Sequence, residues 1–198
     1  MHFRAPAILL AARPHGETAV VARMLTEQYG VVAGYVAGGR GRQLRPVVIP
    51  GNRVELQLSA RSDSQLPFAK LELLESRGPW LGEPLAAAAI GWSCALTATA
   101  LPERQAYPTL YQGLAGLLDA ICHAPSARGW AGALVTYEAL LLRELGYGGE
   151  QPRGEFADML GAMDKLAAPL DHYLLADRRG DVMAARARLR ELLGRMLT

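Results

Sequence analysis

The sequence predicts two domains: an all-β barrel over residues 1–81, followed by an all-α helical domain over residues 82–198. Three observations predict this division. Up to residue 75 the apolar residues fall in short runs, some alternating with period two, separated by Gly- and Pro-containing turns; that is the pattern of strands. The stretch Gly78-Pro79-Trp80-Leu81-Gly82-Glu83-Pro84 breaks the pattern, because two glycines and two prolines suit the interior of neither element type. Beyond it the apolar spacing becomes helical. With 198 residues, 51% hydrophobic and 20% charged, the chain is long and apolar enough to bury sizeable cores.

In chain order, the first strand is expected over Ala7–Arg13, an apolar run ended by the turn cluster Arg13-Pro14-His15-Gly16. Glu17–Thr26 carries β-branched residues and leads through Glu27-Gln28-Tyr29-Gly30 into the apolar run Val31–Ala37. Two such runs joined at a glycine read as a hairpin. Thr18–Gln28 also fits a helix, with Val21, Ala22 and Leu25 on one side, and periodicity leaves both readings open. Gly38–Pro46, with three glycines, three arginines and a proline, is a loop. Asn52–Arg61 alternates Val54, Leu56 and Leu58 against Glu55, Gln57 and Ser59, and Phe68–Glu75 alternates Ala69, Leu71 and Leu73 against Lys70 and Glu72. Five short strands in about eighty residues suit a small closed barrel, of which the OB-fold is the common nucleic-acid-binding form.

The helices follow. Leu85–Leu101 has 17 residues without a charge; it is short and weakly apolar for a membrane span and reads as a core helix. Thr109–His123 places Leu110, Leu114, Leu117, Leu118 and Ile121 at helical spacing, and Trp130–Leu145 does the same with Trp130, Leu134, Tyr137, Leu141 and Leu145. Gly146 follows, as glycine follows helix ends. A weaker helix over Glu155–Met163, then Leu166–Ala176 and Asp181–Leu197, complete the bundle.

The formal charge is only +2, but residues 1–80 hold ten Lys/Arg against six Asp/Glu, whereas residues 81–198 hold eleven against thirteen. The barrel is therefore the better phosphate surface. Its leading candidates are Arg40, Arg42 and Arg45, where neighbouring glycines leave the guanidinium groups room to reach phosphates; the bland alternative is a solvated turn with incidental charge. Arg13, Arg23, Arg53 and Lys70 are secondary DNA-binding candidates, each also readable as an ordinary surface charge, and Tyr29 and Tyr35 are the candidates for base stacking, either of which suits the barrel core equally. On the last helix, Val182, Leu189, Leu192, Leu193 and Met196 share an arc edged by Arg179, Arg186 and Arg190 on one side and by Arg188 and Arg195 on the other. Such a stripe suits a peptide ending in acidic and aromatic residues. It equally suits a core helix whose arginines reach out to water.

Three stretches together resemble the RecO family. The first is Ile8-Leu9-Leu10, Arg13-Pro14-His15-Gly16-Glu17 and Leu25-Thr26-Glu27-Gln28-Tyr29-Gly30. The second is Ala37-Gly38-Gly39-Arg40-Gly41-Arg42 followed by Leu44-Arg45-Pro46. The third is Leu110-Tyr111 opening one helix and Glu144-Leu145-Gly146-Tyr147 closing a later one. The resemblance implies an N-terminal OB barrel and a C-terminal helical domain, and makes Thr18–Gln28 a strand. It implies a mediator without catalytic turnover that binds single- and double-stranded DNA, anneals strands, and helps load RecA in the RecF pathway. Its implied partners are RecR and the C-terminal tail of single-strand-binding protein, and its implied place is the cytoplasm, at the nucleoid during repair. The four-cysteine zinc module of many members has no counterpart in Gly148-Gly149-Glu150-Gln151-Pro152-Arg153, so neither zinc nor another cofactor is expected.

Other classes find little support. His2, His15, His123 and His172 are scattered, and no Gly-Lys-Ser/Thr phosphate loop or Gly-x-Ser-x-Gly elbow occurs, so catalysis is not expected. Cys94 and Cys122 fall in apolar helical settings and read as buried thiols. Met1-His2-Phe3-Arg4 leads straight into a strand-like run, so no signal peptide and no membrane association are expected. The rival reading is an adaptor whose barrel and bundle bind proteins but no DNA.

Overall fold

A computed structural model describes residues 2–60, 62, 65–149, 154–176 and 182–196. Two compact units emerge. One comprises Met1–Pro79 with Leu101–Pro108, the other Trp80–Ala100 with Thr109–Thr198.

The first unit is a closed five-stranded barrel in the order β1-β2-β3-β5-β4. Its strands are β1 (His2–His15), β2 (Ala19–Thr26), β3 (Gly30–Val36), β4 (Arg53–Ser59) and β5 (Phe68–Glu75). β1 is twice the expected length because it serves two partners. Its first half pairs with β4, from His2↔Ser59 to Ile8↔Arg53, and its second half with β2, from Ala7↔Thr26 to His15↔Ala19. The register shifts between Leu9 and Ala11; such a bulge bends a strand and lets it turn from one neighbour to the next. β3 and β5 close the barrel in parallel at Tyr35↔Phe68.

The segment of two readings, Thr18–Gln28, is a strand. Val20, Ala22 and Met24 point into the core with Phe3, Leu9, Val32, Val54, Leu56 and Leu58, a period-two set that a helix would scatter. The β2–β3 turn is closed by Thr26, whose Oγ1 donates to the Gly30 carbonyl at 3.0 Å and accepts from the Tyr29 N–H at 3.1 Å. Gly30 has φ +67° and is packed so closely on Gln105 that a Cβ there would overlap the Gln105 backbone. Leu101–Pro108 thus returns to the barrel: Glu103 bridges to Val31, and the Arg104 N–H donates to the Val31 carbonyl at 2.8 Å. This covers a stretch of β3 that β5 leaves unpaired, as exposed strand edges require.

The second unit contains α1 (Pro84–Ala100), α2 (Pro108–His123), α3 (Ala131–Glu144), α4 (Phe156–Pro169) and α5 (Val182–Gly194). Trp92, Leu96, Leu114, Leu118, Leu134, Leu141, Met163 and Leu189 fill its core. The hydroxyl groups of α1 are satisfied internally, Ser93 on the Ala89 carbonyl and Thr97 on the Ser93 carbonyl and the Tyr137 hydroxyl. The expected break between two helices at 163–166 is absent. α4 runs on to Pro169 and passes directly into a π-helical turn, Leu170–Leu175. A proline lacks the N–H for the regular ladder, and a widened turn accommodates it. No described helix is long and apolar enough to cross a membrane. Cys94 and Cys122 are buried and not joined in a disulfide.

Candidate nucleic-acid interface

The outer face of the barrel gathers aromatic and basic side chains at one end. Period two places Tyr35 on the outside of β3 and Phe68 on the outside of β5, and the parallel bridge sets them side by side, with ring centroids 5.3 Å apart. His15, at the end of β1, meets Tyr35 edge-on at 5.7 Å. His15, Tyr35 and Phe68 therefore form a row across the strands, and Phe68 is 49% exposed.

Cationic groups border this row. Arg13 lies two residues before His15, and Lys70 two residues after Phe68; both are exposed. Arg40 is brought to the same end by the β1–β2 turn: its N–H donates to the Thr18 carbonyl at 2.9 Å and its Nη1 to the Glu17 carbonyl at 3.1 Å. The arginine loop is a chain of closed turns, with Gly41 N–H on Gly38, Arg45 N–H on Gly41, and Val47 and Val48 N–H on Leu44. Its far end is anchored from inside. The buried Asn52 donates through Nδ2 to the Pro46 and Val47 carbonyls at 3.0 Å each and accepts the Arg77 N–H at 2.7 Å. Arg42 and Arg45 flank a depression of about 410 Å³ floored by Pro46 and Ile49. The arrangement offers flat rings for bases beside guanidinium and ammonium groups for phosphates.

The structure separates the other expected residues. Arg23 is on the outer face of β2 but donates to Glu103 at 2.8 Å. Arg53 is at the opposite end of β4 from Ser59, about 20 Å away at strand spacing, and faces Glu75 at 3.8 Å. Tyr29 stacks on Phe3 with centroids 3.9 Å apart, away from the Tyr35 row. His15 and Phe68 were not singled out from the sequence. The signal for Phe68 was present, since the alternation puts it on the Lys70 and Glu72 side of β5.

On α5 the expected peptide-binding stripe lies inside the bundle. Leu189 and Leu193 are fully buried and Arg186 is 3% exposed, so these three build the core. Arg190 is partly exposed and holds Asp164 with two bonds of 2.8 Å, which keep the Asp164 carboxyl below its ordinary range. Arg179 lies outside the described residues, as do residues 150–153, part of the stretch where the zinc module has no counterpart. Among the described residues no three His, Cys, Asp or Glu converge as metal ligands.

The family model "Recombination protein O N terminal" matches residues 1–77, and "Recombination protein O C terminal" matches residues 82–150. The DNA repair protein RecO of Rhodospirillum centenum is 43% identical over 149 residues, 75% of this chain and 58% of that protein. The RecO proteins of a Ruegeria species and of Caulobacter vibrioides strain NA1000 are 41% and 38% identical over 75% of this chain and 61% and 60% of theirs. The chain thus spans about three-fifths of the length of the curated relatives it matches.

Proposed function

Because this chain belongs to the RecO family of DNA repair proteins, we propose that it is a DNA-binding recombination mediator of the RecF pathway. It binds and anneals single-stranded DNA and helps load RecA, with no turnover of its own. The observation that carries the DNA-binding step is the row His15–Tyr35–Phe68 bordered by Arg13, Arg40 and Lys70. Unpaired bases expose faces that such rings stack on, and the neighbouring cations neutralise phosphates without reading sequence. Duplex DNA keeps its base faces stacked on one another and out of reach of these rings, so the face favours single strands. RecR and the single-strand-binding protein tail are proposed as partners on family grounds. With Arg186, Leu189 and Leu193 buried, the tail would need a surface other than the stripe on α5.

A fluorescence-anisotropy titration of a labelled oligo-dT at low and moderate salt tests the reading. Binding that weakens linearly in log Kd against log salt supports it. No binding at low salt sinks it and leaves the non-DNA-binding adaptor. The same titration with a peptide of the single-strand-binding protein tail as competitor tests that partner.

A further inference from the structure

The outer face of β1, β4 and β5 is ordered in rows that run across the strands. The ladder places His2, Ser59 and Phe68 opposite one another, then Arg4, Gln57 and Lys70, then Pro6, Glu55 and Glu72. Aromatic, basic and acidic groups thus follow in sequence along the barrel. A groove of about 520 Å³ spans these rows, lined by Phe68, Lys70, Glu72 and Arg4 together with Gln43 and Leu44 of the arginine loop.

Resting on the single-strand reading above, we propose that this groove seats one nucleotide at the end of the bound strand. Its base lies on Phe68, its phosphate lies on Lys70, and Glu55 and Glu72 bar the next phosphate. The chemistry argues for this occupant. Phe68 is half exposed and its ring continues the His15–Tyr35 row into the groove, and an exposed aromatic face takes any base. Lys70 sits one outward position along, at the spacing of about 7 Å that separates alternate strand residues. Beyond it, Arg4 is held by Glu55 at 2.6 Å and lies 4.0 Å from Glu72, so the two carboxylates occupy the one cation there, and their remaining negative charge repels a phosphodiester. The groove therefore accepts the strand from the aromatic side and ends it at the acidic side.

The test uses the full chain and a fluorescein-labelled oligo-dT. Phe68→Ala is expected to weaken binding about tenfold and Lys70→Gln severalfold. The double variant Glu55→Gln, Glu72→Gln is expected to strengthen binding severalfold and to steepen the salt slope by about 0.7, one further single-strand phosphate, as Arg4 is released. Glu72 is exposed and Glu55 is partly buried against Arg4, and a circular-dichroism melt checks that the variants fold. If Phe68→Ala and the double variant both bind like wild type while Arg40→Ala, Arg42→Ala, Arg45→Ala together lose affinity, the groove is not a nucleotide site although the barrel binds DNA. If the wild type itself does not bind, both readings fall.

Discussion

Arg186 and Glu138 form a two-point ion pair inside the helical unit, with Nε to Oε1 at 2.9 Å and Nη2 to Oε2 at 2.6 Å. The same carboxylate accepts the Trp92 indole N–H at 2.8 Å, and Arg186 Nη2 also donates to the Met163 carbonyl at 2.6 Å. One buried cluster therefore ties α1, α3, α4 and α5. Burial raises the Glu138 carboxyl, and the Arg186 and Trp92 donors oppose that rise. Removing one partner strands a charge without water, so Glu138→Leu or Arg186→Met is expected to cost about 3–5 kcal/mol. Replacing both, as Glu138→Leu with Arg186→Met, removes the stranded charge and should recover part of the loss, the Trp92 N–H and the Met163 carbonyl still losing their partners in the cluster. Urea unfolding of the two singles and the double checks this; additive losses would show that the pair is not coupled.

Stacking in the interface predicts a division among the tyrosines. Tyr35→Ala removes the middle ring of the row and is expected to weaken single-strand binding by about 1–3 kcal/mol. Tyr29→Ala removes a ring stacked on Phe3 and should leave affinity unchanged while lowering stability. Anisotropy and thermal melts on both variants separate the two roles, and equal losses of affinity would dissolve the distinction.

The buried Asn52 joins the arginine loop to the end of β5 and thereby positions Arg42 and Arg45. Asn52→Ala removes the side-chain donor to the Pro46 and Val47 carbonyls, of which Val47 keeps the Ile49 N–H, and the acceptor of the Arg77 N–H, at about 1–3 kcal/mol of stability. A purely structural role would move the melting temperature alone. The positioning role also predicts a shallower salt slope in oligonucleotide binding at a temperature where the variant is folded. An unchanged slope would confine Asn52 to stability.

Most of the fold was legible because barrel strands declare themselves by period two and helices by their apolar spacing. The alternation Val54-Glu55-Leu56-Gln57-Leu58 could be nothing else. The length of β1 was hidden: His2–Pro6 mixes polar and apolar residues, and its pairing with β4 is a contact across some fifty positions. The return of Leu101–Pro108 to the barrel was hidden for the same reason, since Gly30 shows its need for Gln105 only in three dimensions. At the interface, sequence supplied the charges but not their neighbours. Arg23 and Arg40 look alike in the chain, yet one is held by Glu103 and the other by backbone carbonyls beside the aromatic row. On α5 one stripe fits both a docking groove and a core, and only the buried Glu138 opposite Arg186 decides for the core.

Gly30 predicts how tightly the returning segment is built in. At φ +67° a side chain costs about 1–2 kcal/mol, and any Cβ there meets the Gln105 backbone. Gly30→Ala is therefore expected to destabilise by more than that conformational cost and to raise hydrogen exchange at Arg104, whose N–H is held by Val31. A loss within the conformational cost, with Arg104 still protected, would mean that the segment adjusts freely.

The Asp164–Arg190 pair predicts a small acid-dependent term. Arg190 hydrogen-bonds the Asp164 carboxylate and lowers its pKa in the folded state, while the unfolded chain keeps an ordinary carboxyl near 3.9. The unfolded state then binds the proton more readily, so the pair stabilises the fold above that value and the contribution disappears as the pH falls through the folded-state pKa. Asp164 is more than half exposed, so solvent holds the effect to under about 1 kcal/mol. Asp164→Asn is expected to melt no more than about 3 °C below wild type at pH 7, with the gap closing at acid pH and shrinking in high salt. A gap that persisted unchanged into acid would show that Asp164 acts through packing and not through its charge.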